Sequence, residues 1–495
     1  MITPIGTRLG VKRGEFRAVG ALTIVALIIR LIGSNSGLWV DEIYSLLDSF
    51  RPPLVQIVTL FPRDNHHPLY SVFAHLSISA FGEAPWSARL PSVLFGAATI
   101  PLLYVLGRQV TSSREALLAS ALLAVSYHHV WFSQNARGYV MLAFFTIACC
   151  WLLLRLVDER STSFAVAYAA AAALGAYTHL TMVFVVIGQA FACVVLLVHR
   201  RREGAWSRWG PSLMKAFTLS AFGTLLLYAP VLFQVREYFL HRPSGMRGIS
   251  TPGWAFLETL RVLALGFGAG NLAIGAGIVA VATMLFTLGL VSYAKKNVFS
   301  LALFVCPAIV ILAGALVARG TFYPRFLFAL IGFGILVGVR GVMVSAAYIE
   351  YRWANRRAAT AEPYRLGTAL MAITLVLSFV TLKRNYRYPK QDFVGAARYL
   401  DARRSEGEAV ATTGVAVRPF RDYLLRDWTE VVTAADLQRL RGGRPVWLVY
   451  TFPRYLAQTA PEIMAIADQS CRNAQVFQGT IGGGDIIVCK LEPSA

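Results

Sequence analysis

The chain has 495 residues, of which 56% are hydrophobic, and a mean hydropathy of +0.56. This excludes an ordinary soluble domain and points to a polytopic membrane protein. The formal charge of +21 does not mark a nucleic-acid binder: residues 391–495 carry twelve acids and twelve bases, so the whole excess lies in the hydrophobic part, mostly in short loops.

Apolar runs of the length a bilayer requires, about 17–25 residues, fall at 17–33, 88–107, 115–133, 138–156, 163–178, 180–198, 213–233, 270–293, 298–318, 326–345 and 366–382. The expected fold is a polytopic α-helical membrane protein with about eleven transmembrane helices. A shorter run at 68–81 is either a twelfth span or an interfacial helix. Arg8, Lys12 and Arg13 before the first run, with Arg17 at its start, place the N-terminus in the cytoplasm. No A-x-A-like cleavage site follows that run, so it reads as a retained helix. Arg108/Arg114, Arg155/Arg160, Arg200–Arg202 with Arg208, Lys295/Lys296, and Arg352/Arg356/Arg357/Arg365 all fall on the same predicted inner side. The first outer loop, about 34–87, and everything after the last span then lie outside the cytoplasm, in a plasma or inner membrane.

The tail differs from the spans. Gln391–Arg404 has helical periodicity, Ala409–Thr413 and Val446–Thr451 read as strands, Ala457–Asp468 as a helix and Ile486–Leu491 as a last strand. Residues 391–495 are therefore expected to form a small extracytoplasmic α/β domain beyond a transmembrane module of residues 1–390. Gly482–Gly484 lacks the strand–turn–helix context of a nucleotide fingerprint and reads as a hairpin turn. Cys149, Cys150, Cys193 and Cys306 fall in predicted helices as small core residues. Cys471 and Cys489 share the outer domain, where a disulfide between them is permitted. No Cys/His cluster has zinc-ligand spacing.

Chemistry concentrates on the predicted outer face. Asp41 and Glu42 follow the first apolar run, in a region where only fourteen acids accompany thirty-five bases. Ionisable groups at a membrane boundary point to function. The other outer-loop polar residues are Asp48, Arg51, Arg63, Asp64, Asn65, His66, His67, Arg89, Arg137, Tyr139, His179, Arg236, Arg242, Arg247, Arg319, Tyr323 and Arg325. Arginine on this side runs against the positive-inside bias and suits an anionic head group, because its planar fork pairs with phosphate oxygens. The alternative for any one arginine is lipid contact and snorkelling.

Nucleotide sugars and ATP are cytoplasmic, so an activated sugar outside must ride on a lipid such as a polyprenyl phosphate. Displacing a sugar from phosphate needs a base for the acceptor hydroxyl and cations for the leaving phosphate, without a general acid. A glycosidase instead needs two carboxyls about 5–9.5 Å apart across a sugar. Adjacent carboxyls cannot straddle a ring if the segment is extended, because they then point to opposite faces.

Leu38-Trp39-Val40-Asp41-Glu42-Ile43-Tyr44-Ser45 resembles the first outer loop of the GT-C glycosyltransferases, in the branch of protein O-mannosyltransferases and lipid A aminoarabinose transferases (glycosyltransferase family 39-like). Asp64-Asn65-His66-His67-Pro68-Leu69-Tyr70, Ser87-Ala88-Arg89-Leu90-Pro91-Ser92 and Ser133-Gln134-Asn135-Ala136-Arg137-Gly138-Tyr139 follow in the order the family shows. Tyr177-Thr178-His179 and Tyr323-Pro324-Arg325-Phe326 extend the likeness loosely to about residue 345.

The resemblance implies that Asp41 is the general base or orients the acceptor, and that Glu42 is its companion, holding a nearby cation. It places His66, with His67 beside it, where relatives carry a lysine of a Lys-Pro-Pro-Leu motif against the donor phosphate. A histidine is only partly charged near neutrality, which makes Arg137 and Arg325 the stronger phosphate ligands. Arg89 either joins them or anchors its helix. Asp64, Tyr139, His179 and Tyr323 are candidate substrate contacts, with an aromatic belt (Tyr139, Tyr323) and a tight turn (His179) as the alternatives. The implied partners are a polyprenyl-phosphate-linked sugar donor, membrane lipids and a protein or glycan hydroxyl acceptor, with no nucleic acid. No cofactor is assigned and a divalent metal stays open, since relatives differ over it and the scattered acids do not decide it; no metal ligand is assigned. The rival reading is a transporter or flippase of a lipid-linked anionic glycan, which would place ionisable groups at mid-bilayer in repeated halves. No charged residue is obvious mid-span and no repeat is visible.

Overall fold

The computed structural model describes residues 13–63, 65–241, 272–317, 324–353, 365–471 and 473–493. Helices dominate up to residue 387. They are α1 (Arg13–Leu31), α2 (Val40–Ser45), α3 (Leu54–Thr59), α4 (Pro68–Phe81), α5 (Pro85–Val110), α6 (Ser113–Val125), α7 (Tyr127–Ser133), α8 (Tyr139–Glu159), α9 (Thr162–Thr178), α10 (Thr181–His199), α11 (Ala205–Tyr228), α12 (Leu232–Leu240), α13 (Leu272–Lys296), α14 (Val298–Val317), α15 (Ile331–Trp353) and α16 (Arg365–Arg387). All eleven predicted apolar runs are mainly helical where they are described, with breaks inside the runs at Ser126 and at 229–231. Among the described residues, six helices are long and apolar enough to cross a bilayer by themselves, or up to eight if two bent pairs each count as one span. The run at 68–81 is a separate helix of 14 residues.

The bends have local causes. Between α6 and α7, Ser126 leaves the helical region and the axis turns by 57°. A broken helix frees its last carbonyls, which must find donors. Arg30 of α1, fully buried, supplies them: its guanidinium donates to the carbonyls of Leu123 (3.3 Å) and Ala124 (3.0 Å) and to Ser133 Oγ (3.1 Å). Arg340 of α15 reaches Glu115 of α6 at 2.7 Å, and Glu115 is 2% exposed. The expectation that no charged residue is obvious mid-span is thus corrected at Arg340, in the middle of α15, whereas Arg30 lies in the last turn of α1. Each is bonded to a neighbouring helix, which is how a membrane interior tolerates it. Gly289 and Gly341 bring α13 and α15 together so closely that a Cβ on either would strike a backbone carbonyl of the other helix. Helix α8 is buried along most of its length and lies at the centre of the main apolar cluster.

After residue 391 comes a five-stranded sheet: β1 (Ala409–Thr412), β2 (Thr429–Glu430), β3 (Val446–Thr451), β4 (Gln475–Phe477) and β5 (Ile486–Leu491), in the order β2-β1-β3-β5-β4. β1 pairs in parallel with β2 and β3, whereas β5 runs antiparallel to β3 and β4. Four helices flank it: α17 (Phe393–Arg403), α18 (Ala434–Arg441), α19 (Pro453–Thr459) and α20 (Pro461–Ser470). The single helix expected over 457–468 is split at Ala460, because the residue before a proline is pushed out of the helical region. The glycine run lies in the β4–β5 connection, with Gly483 at φ 70°. Cys471 and Cys489 form a disulfide that ties the end of α20 to β5. Phe393, Phe420 and Val449 of this domain belong to the same apolar cluster as Trp39 and Ile43 of the helical module.

Candidate active site

Helix α2 holds Asp41 and Glu42 on different sides, since neighbours on an α-helix diverge by about 100°. The segment is helical rather than extended, and the two carboxyls still diverge. Glu42 points inward and is 0% exposed. Its Oε1 accepts from Arg89 Nε (2.8 Å) and the Ala136 amide (2.6 Å), and its Oε2 from Arg89 Nη2 (2.6 Å) and the Trp39 amide (3.2 Å). Arg89, also 0% exposed, donates further to the carbonyls of Ser34, Ser36 and Gly37 at 2.7–3.0 Å. Burial, the largest single influence, works against the Glu42 carboxylate, but Arg89, Lys390 and the Ala136 amide together outweigh it and hold the group below the ordinary carboxylate range. Glu42 and Arg89 thus join three segments: the turn before α2, the start of α5 and the α7–α8 loop.

Asp41 points outward and its side chain is 23% exposed. Its Oδ2 lies 3.4 Å from both Arg137 Nη1 and Arg325 Nη1. Asn65 clasps the same place: its amide donates to the Asp41 carbonyl and to Ser45 Oγ, each at 3.2 Å, while its Oδ1 accepts from Arg137 Nη1. The guanidinium carbons of Arg137 and Arg325 lie 5.5 and 6.0 Å from the centre of the Tyr139 ring, within cation–π range. His67, Tyr139 and His179 complete an aromatic wall, with ring centres 4.7–5.5 Å apart.

The imidazoles on this wall are neutral. Burial, together with Arg137 and His179, pushes His67 well below its ordinary value, and burial with Arg137 and Arg325 lowers His179 to about 3. The Gly138 amide donates to His67 Nδ1 at 2.8 Å, so the neutral ring carries its proton on Nε2. That N–H faces Arg137 Nη2 at 3.3 Å, on the side of the guanidinium whose Nη1 reaches Asp41. Two donors therefore face one another across a gap, a geometry that an anionic oxygen satisfies from both sides.

The remaining candidates lie elsewhere. Both ring nitrogens of His66 are engaged away from Asp41, with Ser49 Oγ and the Ile57 carbonyl at 3.0 Å each, and burial lowers its pKa to about 4. The structure therefore does not bring His66 to the Asp41 pocket, nor Arg89, which is spent on Glu42. His179 also serves its turn, its Nδ1 accepting from the Thr181 amide at 3.1 Å. Asp64 and Tyr323 fall outside the described residues. The sequence reading gave no role to Asn65, although it lies inside a quoted motif, or to Lys390 and Gln391, which no motif signals. Lys390 Nζ donates to the Gln134 carbonyl at 2.5 Å, and Gln391 Oε1 accepts from the Val40 amide at 2.9 Å.

A divalent cation is a poor fit beside Asp41. Among the described residues no group of three His, Cys, Asp or Glu is placed to hold a metal. Two guanidiniums already flank the outward Asp41 carboxylate, and Glu42 is committed to Arg89.

Residues 65–232 match the family model described as dolichyl-phosphate-mannose-protein mannosyltransferase. ArnT from Cupriavidus metallidurans in the apo state superposes with a TM-score of 0.52 at 14% identity, over 96% of this chain and 97% of that one. The fold is that of the GT-C membrane glycosyltransferases. The same GT-C architecture appears in the Archaeoglobus fulgidus oligosaccharyltransferase crystallised with zinc and sulfate (TM-score 0.55, 12% identity, 94% of this chain and 72% of that one). ArnT bound to undecaprenyl phosphate gives a TM-score of 0.50, at 14% identity over 96% of this chain and 98% of that one. No curated protein matches this chain by sequence. The residues matched by the family model include Asn65, His67, Arg137, Tyr139 and His179 but begin after Asp41.

Proposed function

We propose that the chain is an inverting glycosyltransferase that moves a sugar, a hexose or a pentose, from a polyprenyl-phosphate carrier to a hydroxyl of a protein, lipid or envelope glycan. In this reading the reaction occurs on the outer face of a plasma or inner membrane crossed about eleven times, with the N-terminus inside and residues 391–495 outside. The observation that carries it is an outward carboxylate, Asp41, set 3.4 Å from two guanidiniums of separate segments. Asp41 takes the proton of the acceptor hydroxyl as its oxygen bonds to the anomeric carbon. The bond from that carbon to the phosphate oxygen breaks, and the polyprenyl phosphate leaves. Arg137, Arg325 and the Nε2–H of His67 stabilise the charge that develops on it. A single displacement inverts the anomeric centre. The undecaprenyl-phosphate complex of ArnT and the dolichol-phosphate complex of the archaeal enzyme support a lipid donor. Asp64, Tyr139, His179 and Tyr323 remain the proposed sugar contacts, and no metal step is included.

The test is to incubate the purified protein with polyprenyl-phosphate sugars and hydroxyl acceptors, then analyse products by mass. Transfer by the wild type, lost in Asp41→Asn with lipid binding retained, supports the reading. Unchanged transfer by Asp41→Asn removes the assigned base. No transfer with any lipid donor, together with movement of the lipid across a vesicle membrane, favours a flippase.

A further inference from the structure

Two consecutive residues at the junction of the helical module and the C-terminal domain hold the two halves of the Asp41 pocket. Val40 is the first residue of α2, next to Asp41, and its amide belongs to the set that a helix leaves without an intrahelical partner. Gln391, 351 positions away in sequence, supplies the acceptor through Oε1 at 2.9 Å. The other end of its amide donates to Thr451 Oγ1 (3.1 Å) and the Gly484 carbonyl (2.8 Å), both in the C-terminal domain. Gln391 is 1% exposed. Its orientation is fixed by its partners, because only the NH2 end can face the Gly484 carbonyl and only the oxygen can face an N–H. Lys390 holds the opposite half, donating to the carbonyl of Gln134, three residues before Arg137, with its ammonium 5.0 Å from the centre of the Trp131 ring. The far end of the α2 segment is gripped from the same domain: Arg418 makes two bonds to Asp48 (2.7 and 2.9 Å) and lies over Tyr44.

We infer that Gln391 is a positioning residue for Asp41, and that the C-terminal domain sets the placement of the base through it. The inference rests on the reading of Asp41 given under Proposed function. A tether on the first turn of α2 sets where the carboxylate stands relative to Arg137, and small displacements of a reacting group are costly. Because the Gln391 amide also bonds Thr451 and Gly484, movement of the sheet reaches Asp41 without any sheet residue touching substrate.

The test uses the full chain in detergent, with Gln391→Ala, Thr451→Val and the double variant. The expected result for Gln391→Ala is a fall in kcat of about tenfold or more with the KM for the lipid donor little changed. Thr451→Val, which removes one of the two acceptors holding the amide, is expected to lower kcat by about threefold, and to add nothing once Gln391 is gone. Hydrogen exchange is expected to quicken at Val40–Ser45 in Gln391→Ala while Val446–Thr451 stays protected. Unchanged kcat, or a higher KM at constant kcat, overturns the inference, as does an additive double variant. If Gln391→Ala does not fold, Thr451→Val alone decides by the same change in kcat and in exchange at Val40–Ser45. If the wild type transfers nothing, the function reading has failed and exchange alone judges the coupling: faster at Val40–Ser45 upholds it and unchanged rejects it.

Discussion

Asp41 and Glu42 are neighbours in sequence but belong to two regions built on different principles. Around Glu42 lies a dry lattice. Four donor atoms converge on its two oxygens at 2.6–3.2 Å, and its chief partner, Arg89, is as fully buried as it is. Around Asp41 the packing opens to solvent, with two arginines at 3.4 Å and the carboxyl 23% exposed. Short, saturated contacts hold a structure together; longer contacts to an exposed carboxylate leave it able to exchange partners during a reaction. If this contrast is right, one acid governs rate and the other governs folding, and the two losses separate.

The largest effect is expected at Asp41. Asp41→Asn keeps the shape and the helix but removes the base, so transfer is expected to fall by about 10²–10⁴-fold while the melting temperature stays near that of the wild type. A parallel fall in melting temperature would erase the distinction between pocket and lattice. Glu42→Ala is the complementary break. It leaves Arg89 buried without its carboxylate, for an expected loss of about 3–5 kcal/mol, visible as poor folding or a much lower melting temperature. A folded Glu42→Ala protein lacking only activity would move Glu42 into the chemistry.

Arg137→Ala sharpens the comparison from the cationic side. Losing one preorganised donor to a leaving phosphate is expected to cost about 10²–10³-fold in kcat/KM. Arg137→Lys is expected to recover only part of this, because an ammonium does not reproduce the planar fork. Full recovery with lysine would mean that charge alone is needed at that position. Steady-state rates with a polyprenyl-phosphate sugar make the measurement.

The sequence made some of this legible and hid the rest for physical reasons. The helices were readable because an apolar run of bilayer length has few other fates, and the C-terminal strands at 409–412, 446–451 and 486–491 because each is a short apolar run. The strands Thr429–Glu430 and Gln475–Phe477 are too short to show a period. Asp41 stood out as an acid at a membrane boundary, but nothing local separated it from Glu42, since their difference comes from Arg89 and Ala136, 47 and 94 residues away. His66 and His67 were equally inseparable. One faces Ser49 and Ile57, the other Arg137 and Gly138, and only the folded chain makes that choice. Gln391 and Arg418 act across 351 and 370 residues, beyond the reach of any motif.

The smallest effect concerns pH and touches both regions through histidine. The ordinary imidazole value is 6.5; burial lowers His66 to about 4 and His179 to about 3, and drives His67 well below 6.5. Below 6.5 the unfolded chain takes up protons that the folded chain refuses until its own lower values are reached. Stability contributed by these rings is therefore complete above pH 6.5 and drains away as pH falls towards 4, by at most about 1.4 kcal/mol per pH unit for each ring. The melting temperature is expected to drop between pH 7 and pH 5, and to drop less in His66→Gln, which keeps a donor for the Ile57 carbonyl but does not titrate. A slope unchanged in His66→Gln would assign the loss to other groups. Transfer behaves differently, because the rings on the pocket wall stay neutral throughout this range. The rate of the folded enzyme should show no inflection near pH 6.5, and an inflection there would mean that His67 or His179 carries a proton during turnover.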